Sequence, residues 1–154
     1  MSAPADRVVA ALRAAGVEAD VRRFDVPVPT AAAAAEVLGC AVGAIANSLV
    51  FDADGAPLLV LTSGAHRVDT GKIAALVGAG RVRRASPDFV RAATGQSIGG
   101  VAPVGHPAPL RTLVDRDLAQ YSEVWAAGGI PHAVFPLSYA ELVALTGGEV
   151  AEVA

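Results

Sequence analysis

The glycine-rich segment GQSIGGVAPVGHP, residues 95–107, is the part of the sequence with the clearest capacity for chemistry. Its glycines, prolines and apolar residues follow neither helical nor strand periodicity, so its backbone can approach a ligand closely and direct N–H groups at it. It is not a phosphate loop of a familiar kind, because no Gly-Lys-Ser/Thr follows it and no Gly-x-Gly-x-x-Gly opens a helix. From these residues alone, a ligand-binding loop and an ordinary connecting loop both stay open.

Other side chains that serve as nucleophiles, bases or metal ligands are scattered. The three histidines, His66, His106 and His132, form neither a His-x-x-x-His nor a His-Glu-x-x-His pair, so we expect no metal and no other cofactor. No Gly-x-Ser-x-Gly elbow supports a Ser-His-Asp hydrolase. Cys40, the single cysteine, is expected to be a small buried hydrophobic residue, and it cannot form an internal disulfide.

Length and charge narrow the class of protein. A chain of 154 residues predicts a single domain over 1–154. The net charge of −3 argues against coating nucleic acid by bulk electrostatics, although it leaves room for a local basic patch. No apolar run reaches the ~18 residues of a spanning helix, and the N-terminus lacks the pattern of a secretory signal. We therefore expect a cytoplasmic protein that does not bind a membrane.

Local signals predict the elements that position these residues. Capping residues, glycine stops and apolar spacing indicate helices over 2–15, 31–38, 68–76, 86–94 and 138–145. β-rich runs indicate strands over 18–24, 48–52, 57–62, 81–84, 111–115, 123–127 and 133–135, with a hairpin turn at Asp54-Gly55. Hairpins mixed with helices at irregular intervals favour an α+β domain on a mixed sheet over a doubly wound sheet.

The order of several short segments along the chain resembles one known family. These segments are Thr30-Ala31 opening an alanine-rich helix, IANSLVF at 45–51, LVLTSG at 59–64, VDTGKIA at 68–74, GGVAPVG at 99–105, LVD at 113–115 and GGIPH at 128–132. Together they resemble the YbaK/EbsC family of aminoacyl-tRNA deacylases, which is similar to the editing domain of bacterial prolyl-tRNA synthetase. The resemblance implies a compact fold with a mixed, partly barrel-like sheet flanked by helices, and hydrolysis of the ester that joins a wrong amino acid to tRNA.

The resemblance also implies a set of site residues. The family's Gly-x-x-x-Pro loop matches Gly99 to Pro103, and its backbone is expected to shape the aminoacyl pocket and bind the ester carbonyl. The implied catalytic residues are Asn47, Gly99, Gly100, Pro103 and His132, and the implied substrate-binding residues are Thr30, Ser48, Thr62, Ser63, Val101, Ala102 and Asp115. The arginines proposed for the tRNA face are Arg22, Arg23, Arg81, Arg83, Arg84 and Arg91.

One position departs from the family pattern. Relatives commonly carry a lysine where this sequence has Asn47, and the single lysine, Lys72, matches a different position. Asparagine can donate hydrogen bonds but brings no charge. The leading hypothesis is a trans-editing deacylase for a small amino acid, with the acceptor end of aminoacyl-tRNA and an aminoacyl-tRNA synthetase as candidate partners. The alternatives are a non-catalytic aminoacyl- or tRNA-binding module and a general hydrolase of small esters, and the oligomeric state is left open.

Overall fold

Local capping signals set the limits of the helices. The structure, a computed structural model, describes residues 3–18 and 20–154. Its helices are α1 (Ala3–Ala14), α2 (Ala31–Leu38), α3 (Thr70–Val77), α4 (Pro87–Thr94) and α5 (Tyr139–Thr146). Side chains cap four of them: Thr30 accepts from Ala33 N, Asp69 from Lys72 N, Ser86 from Phe89 N, and Ser138 forms a capping box with Glu141. All five predicted helices are confirmed, except that Ser2 lies outside the described residues.

The strands follow the predicted order with some changes of boundary. They are β1 (Arg22–Arg23), β2 (Ile45–Ala53), β3 (Ala56–Ser63), β4 (Val82–Arg84), β5 (Arg111–Asp115), β6 (Val124–Ala127), β7 (Ala133–Leu137) and β8 (Glu149–Ala151), and two 3₁₀ turns cover Val42–Ala44 and Arg116–Gln120. The prediction of a strand over 18–24 was too long, since only Arg22 and Arg23 pair, with β7; Ala19 lies outside the described residues. The prediction missed β8, a three-residue strand that pairs in parallel with β5.

The described strands form one mixed sheet in the order β1-β7-β6-β2-β3-β5-β8, with β4 paired to β2. The pairs β2–β6, β3–β5 and β5–β8 are parallel, and the others are antiparallel. The α+β class and the mixed sheet predicted from the sequence are confirmed. Within the described residues, no helix combines the length and apolar character needed to cross a membrane.

Both faces of the central strand β3 are buried, because alternate residues of a strand point to opposite faces. Leu59 and Leu61 pack in one core with residues of α1, α4 and α5, including Val8, Val90 and Leu142. On the other face, Leu58 and Val60 pack with Ile73 of α3. A third apolar cluster joins Ala34 and Ala35 of α2 to Ile45 and Trp125. The helices therefore cover the sheet from more than one side.

Strand β2 has one fully paired edge and one divided edge. Its first edge pairs with β3 from Ala46 to Ala53. On the other edge, β6 pairs with Ile45 and Ala46, and β4 pairs with residues 51–53. Among the described residues, the segment 47–50 has no strand partner on that edge. The sheet is therefore open along the middle of β2.

The hydrogen-bonding parity shows which backbone groups face this opening. The N–H of Gly64 donates to the carbonyl of Ile45, so odd-numbered residues of β2 direct their backbone groups to β3. Even-numbered residues then face the divided edge, and the N–H of Ala85 indeed donates to the carbonyl of Val50 at 3.4 Å. The backbone N–H and C=O of Ser48 consequently face the open part of the sheet.

We expect the Asp54 side chain to hold β4 against the β2–β3 turn. Its carboxylate accepts from the N–H groups of Gly80 and Arg81 at 2.7 and 2.9 Å, and Asp54 itself has a φ of 53°. Asp54→Ala should lower the free energy of unfolding by about 1–2 kcal/mol, because it removes two charge-assisted bonds and places alanine in the left-handed region. Urea denaturation measures this, with Asp25→Ala, at an exposed aspartate, as the control. Equal stability of the two variants would contradict this role.

Candidate active site

A cleft of about 680 Å³ lies where the open edge of β2 faces the glycine-rich loop. One wall is β2 itself, from Ile45 to Phe51, and the opposite side includes Gly99 and Val101 of the loop. Thr30, at the N-terminus of α2, also lines the cleft. The cleft thus occupies the space that a continuous strand beside β2 would fill.

The glycine-rich loop is packed closely enough to exclude larger residues. α4 ends at Gly95 in the left-handed conformation, and Gly99 has a φ of 91°. A Cβ at Gly100 would lie 2.6 Å from the carbonyl carbon of Ile130, so this backbone rests directly on the chain before β7. At Gly100 the missing side chain allows close approach to the protein's own chain, and the predicted approach of the loop backbone to a ligand stays a prediction.

Two polar side chains of β2 lie at the cleft without internal partners. Asn47 and Ser48 are both half-buried and line the cleft. The Oγ of Ser48 is buried and has no hydrogen-bond partner among the described residues. The side-chain amide of Asn47 likewise makes no hydrogen bond to any described residue. An unsatisfied buried polar atom costs roughly 1–3 kcal/mol, so such atoms are typical of sites that bind a ligand.

A second polar cluster lies beside the cleft and is internally satisfied. Asp115 is 2% exposed and accepts from the N–H of Ser63 at 2.9 Å and from the hydroxyl of Thr62 at 3.3 Å. Its carboxylate is 2.8 Å from Nδ1 of His66, whose Nε2 lies 3.0 Å from Asp117. Each ring nitrogen of His66 faces a carboxylate, Nδ1 that of Asp115 and Nε2 that of Asp117. Of this group, only His66 lines the cleft.

The polar cluster is also the set of side chains best placed to hold a metal within the described residues. The ligand atoms of His66, Asp115 and Asp117 all lie within 4.8 Å of one another. Their mutual hydrogen bonds account for this arrangement. Thr62, Ser63 and Asp115, expected to bind substrate, lie outside the described lining of the cleft and join the ends of β3 and β5 to the segment that carries His66.

The remaining expected site residues lie behind or beside the loop. Ala102 is fully buried, and Pro103 lines a shallower cleft of about 300 Å³ on the far side of the loop. His132 is half-buried and is absent from the described lining of the cleft; its carbonyl accepts from the N–H of Phe24 at 2.8 Å. The structure therefore brings together Thr30, Asn47, Ser48, Gly99 and Val101, and places Gly100, Ala102, Pro103 and His132 around them.

The charges at the cleft are of one sign. Arg67 and Arg84 are exposed and line it, and no aspartate or glutamate lies among its described lining residues. This contrasts with the net charge of −3 for the chain. Other predicted tRNA-face arginines lie outside the lining: Arg23, Arg81 and Arg91 are exposed, Arg83 pairs with Asp52 at 3.4 Å, and Arg22 stacks 4.9 Å from the centre of the Trp125 ring.

The sequence analysis did not single out three residues of this region. Trp125 is 7% exposed and lines the apolar end of the cleft with Ala34 and Ile45. Arg67 lines the cleft, and Gln96 lies buried behind the loop. The strand over 123–127 and the helix over 31–38 were both predicted, but the packing of Trp125 against that helix, α2, was not identifiable from local sequence.

This chain is similar to known proteins by family model, by sequence and by structure. A family model described as the aminoacyl-tRNA editing domain matches residues 25–145. YwhH of Bacillus subtilis (strain 168), a protein described as uncharacterized, is 32% identical over 126 residues, covering 81% of this chain and 80% of that protein. The proline–tRNA ligase of Nitratidesulfovibrio vulgaris (strain DP4) is 34% identical over 97 residues, which cover 61% of this chain but only 17% of the ligase. A solved structure proposed as a trans-editing enzyme for prolyl tRNA synthetase superposes with a TM-score of 0.93 at 45% identity, over 99% of this chain and 98% of the other.

The stability of the fold should depend on the protonation of His106. Burial lowers the pKa of His106 below its ordinary value, and the hydrogen bond to the Ala102 carbonyl acts in the opposite direction. Below about pH 6.5 the unfolded chain takes up a proton that the folded chain resists, so the free energy of unfolding should fall with acidification until the folded pKa is passed. His106→Gln should flatten this slope in urea denaturation between pH 7 and pH 5. An NMR titration of His106 at or above its ordinary pKa would contradict the prediction.

Proposed function

The chain belongs to the aminoacyl-tRNA editing domain family, and from that premise we propose that it hydrolyses the ester between a small amino acid and the 3′-terminal ribose of tRNA, acting in trans. One observation carries the proposal: the open edge of β2 at Asn47 and Ser48 and the loop backbone at Gly99 and Val101 line the same cleft. These groups can surround an ester without any covalent nucleophile.

The reaction suits such a site. An aminoacyl ester is already activated, so positioning water and supplying fixed hydrogen-bond donors can provide much of the rate enhancement. Water adds to the carbonyl carbon, the bond from that carbon to the ribose oxygen breaks, and the ribose oxygen takes up a proton as the amino acid leaves. The Nδ2 of Asn47 and the N–H of Ser48 are the donors proposed for the developing oxyanion, together with the loop backbone.

The two ends of the cleft suit the two parts of this substrate. The end near Ile45 is bounded by Ala31, Ala34 and Trp125, which leaves an apolar space for a small uncharged side chain. Six residues further along β2, roughly 20 Å away, Arg84 pairs with Phe51. We assign the exposed guanidinium groups of Arg67 and Arg84, which both line the cleft, to the phosphates of the acceptor end, because guanidinium groups bind phosphate well.

A non-catalytic binding module is the second candidate, and the uncharged Asn47 favours it. Such a module would use the same cleft to hold aminoacyl-tRNA, without lowering the barrier to hydrolysis. The proposed aminoacyl-tRNA synthetase partner suits either function, since both concern tRNA that a synthetase has charged. The two candidates differ in turnover: only the deacylase hydrolyses the ester, and only its rate should depend on Asn47.

Asn47→Ala should lower the rate of hydrolysis by about 10²- to 10³-fold, because it removes one donor to the oxyanion. The measurement is single-turnover deacylation of tRNAs charged with Ala, Ser, Cys or Thr. Gln120→Ala, which removes an exposed amide from a 3₁₀ turn, is the control and should retain the wild-type rate.

Three results would contradict the deacylase. If the wild-type protein hydrolyses none of the four charged tRNAs faster than buffer, it is not an enzyme of this kind. Binding of charged tRNA with no turnover supports the binding module. Cleavage of simple amino-acid esters as fast as tRNA-linked ones supports a general ester hydrolase.

Arg67→Gln and Arg84→Gln should each weaken tRNA binding without a comparable loss of kcat. Each lost phosphate contact should raise KM and reduce the slope of log affinity against log salt by about 0.7 to 0.9. Steady-state deacylation at several salt concentrations measures both quantities. Arg13→Gln, on the exposed side of α1, is the control; an unchanged KM and salt slope in both cleft variants would show that these arginines do not contact phosphate.

A further inference from the structure

A buried amide lies directly behind the glycine-rich loop. Gln96 is only 1% exposed, and its side chain makes two hydrogen bonds to the backbone of the loop. Its Oε1 accepts from the N–H of Ala102 at 2.7 Å, and its Nε2 donates to the carbonyl of Val104 at 3.1 Å. Pro103, between them, has no N–H to offer. One amide therefore holds the backbone on both sides of the proline.

Gln96 is itself held in place by the end of α4. The Oγ1 of Thr94, a fully buried residue, accepts from the N–H of Gln96 at 3.0 Å and donates to the carbonyl of Val90 at 2.7 Å. The left-handed Gly95 lies between them and turns the chain out of the helix. The amide thus extends from a helix end that is fixed in the main core.

His106 supplies a second tie to the same point of the loop. Its Nε2 lies 2.8 Å from the carbonyl of Ala102. Because a carbonyl only accepts hydrogen bonds, Nε2 carries the proton and donates. Both backbone groups of Ala102 are therefore bonded to side chains, the N–H to Gln96 and the C=O to His106.

These ties control the direction of the loop segment that lines the cleft. Gly99 and Val101 lie on the cleft, and Val101 immediately precedes the tied Ala102. On the other side, the N–H of Gly100 donates to the carbonyl of Ser97 at 3.0 Å. The segment 99–101 is thus held at its middle by the N–H of Gly100 and at its C-terminal end by Ala102. Donors stabilise a developing charge best when they are fixed before the substrate arrives.

On the basis of the function proposed above, we propose that Gln96 is a positioning residue for the hydrolysis. Its amide orients the backbone of Gly99–Val101 toward the ester, although Gln96 does not itself line the cleft. The residue type follows from the geometry, since a planar amide offers one acceptor and one donor side by side. Leucine offers neither, and an ionised glutamate offers two acceptors, one of them facing the Val104 carbonyl.

The test compares Gln96→Leu and Gln96→Glu with the wild-type protein on the charged tRNA that it hydrolyses fastest. Gln96→Leu should lower kcat by about 10²-fold, the loss expected for a misplacement near 1 Å, with KM changed less than about threefold. The kcat of Gln96→Glu, relative to wild type, should recover as the pH falls, because the protonated carboxyl can donate to Val104. Ser138→Ala, which removes the cap of α5, is the control: it should lower the melting temperature and leave kcat unchanged.

Hydrogen exchange at the Ala102 amide gives a readout that does not depend on hydrolysis. Gln96→Leu should lose protection there, and Ser138→Ala should keep it relative to the global unfolding rate. An active wild type with an unchanged kcat in Gln96→Leu overturns the inference, and so does an equal loss of kcat in Ser138→Ala. If the wild type hydrolyses no charged tRNA, the proposed function fails. Hydrogen exchange then still tests whether Gln96 holds the loop. Unchanged protection of the Ala102 amide in Gln96→Leu would overturn that role, and lost protection would support it.

Discussion

The pairing of β2 is the constraint on which the candidate site depends. A strand in the middle of a sheet ordinarily satisfies its backbone on both edges, but here two short strands share one edge of β2 and leave residues 47–50 between them. Buried backbone groups are costly when unpaired, so such an opening persists only where something else can occupy it. The glycine-rich loop lies across the opening without pairing to it, and a ligand could bond there to groups that a neighbouring strand would otherwise use.

The buried polar residues around the cleft divide into two kinds. Asp115, Gln96 and Thr94 are buried, and each has its hydrogen-bonding groups engaged by backbone or by other side chains. The Oγ of Ser48 has no hydrogen-bond partner among the described residues, and both Ser48 and Asn47 line the cleft. Satisfied buried networks make a structure rigid, whereas unsatisfied groups make it receptive to a ligand. Asp115 contacts His66 and Thr94 bonds to Val90, which both line the cleft, and Gln96 bonds to Ala102 next to the lining residue Val101, so a rigid frame surrounds a few free donors.

Local sequence was sufficient for most elements, because their limits are set by short-range chemistry. Ser138 and Glu141 predicted the start of α5, and Asp54-Gly55 predicted the β2–β3 turn. The exposed strand β8 was missed because three residues carry little pattern, and its partner β5 lies far away in sequence. The glycine-rich loop stood out by its own composition, and the family resemblance pointed to Asn47. Gln96, Trp125 and Arg67 could not be found in this way, since their positions at the cleft arise from tertiary packing.

The divided edge of β2 also has a consequence for the order in which the protein folds. β2 and β3 are joined by a tight turn and can pair as soon as both have been synthesised, because hairpins form locally and quickly. The strand that closes the start of β2's other edge, β6, pairs Trp125 with Ile45, about 80 positions away along the chain. Contacts of such separation form late. During synthesis, the Ile45 end of β2 therefore stays unpaired on that edge until β6 has been made, which exposes it to wrong pairing between nascent chains.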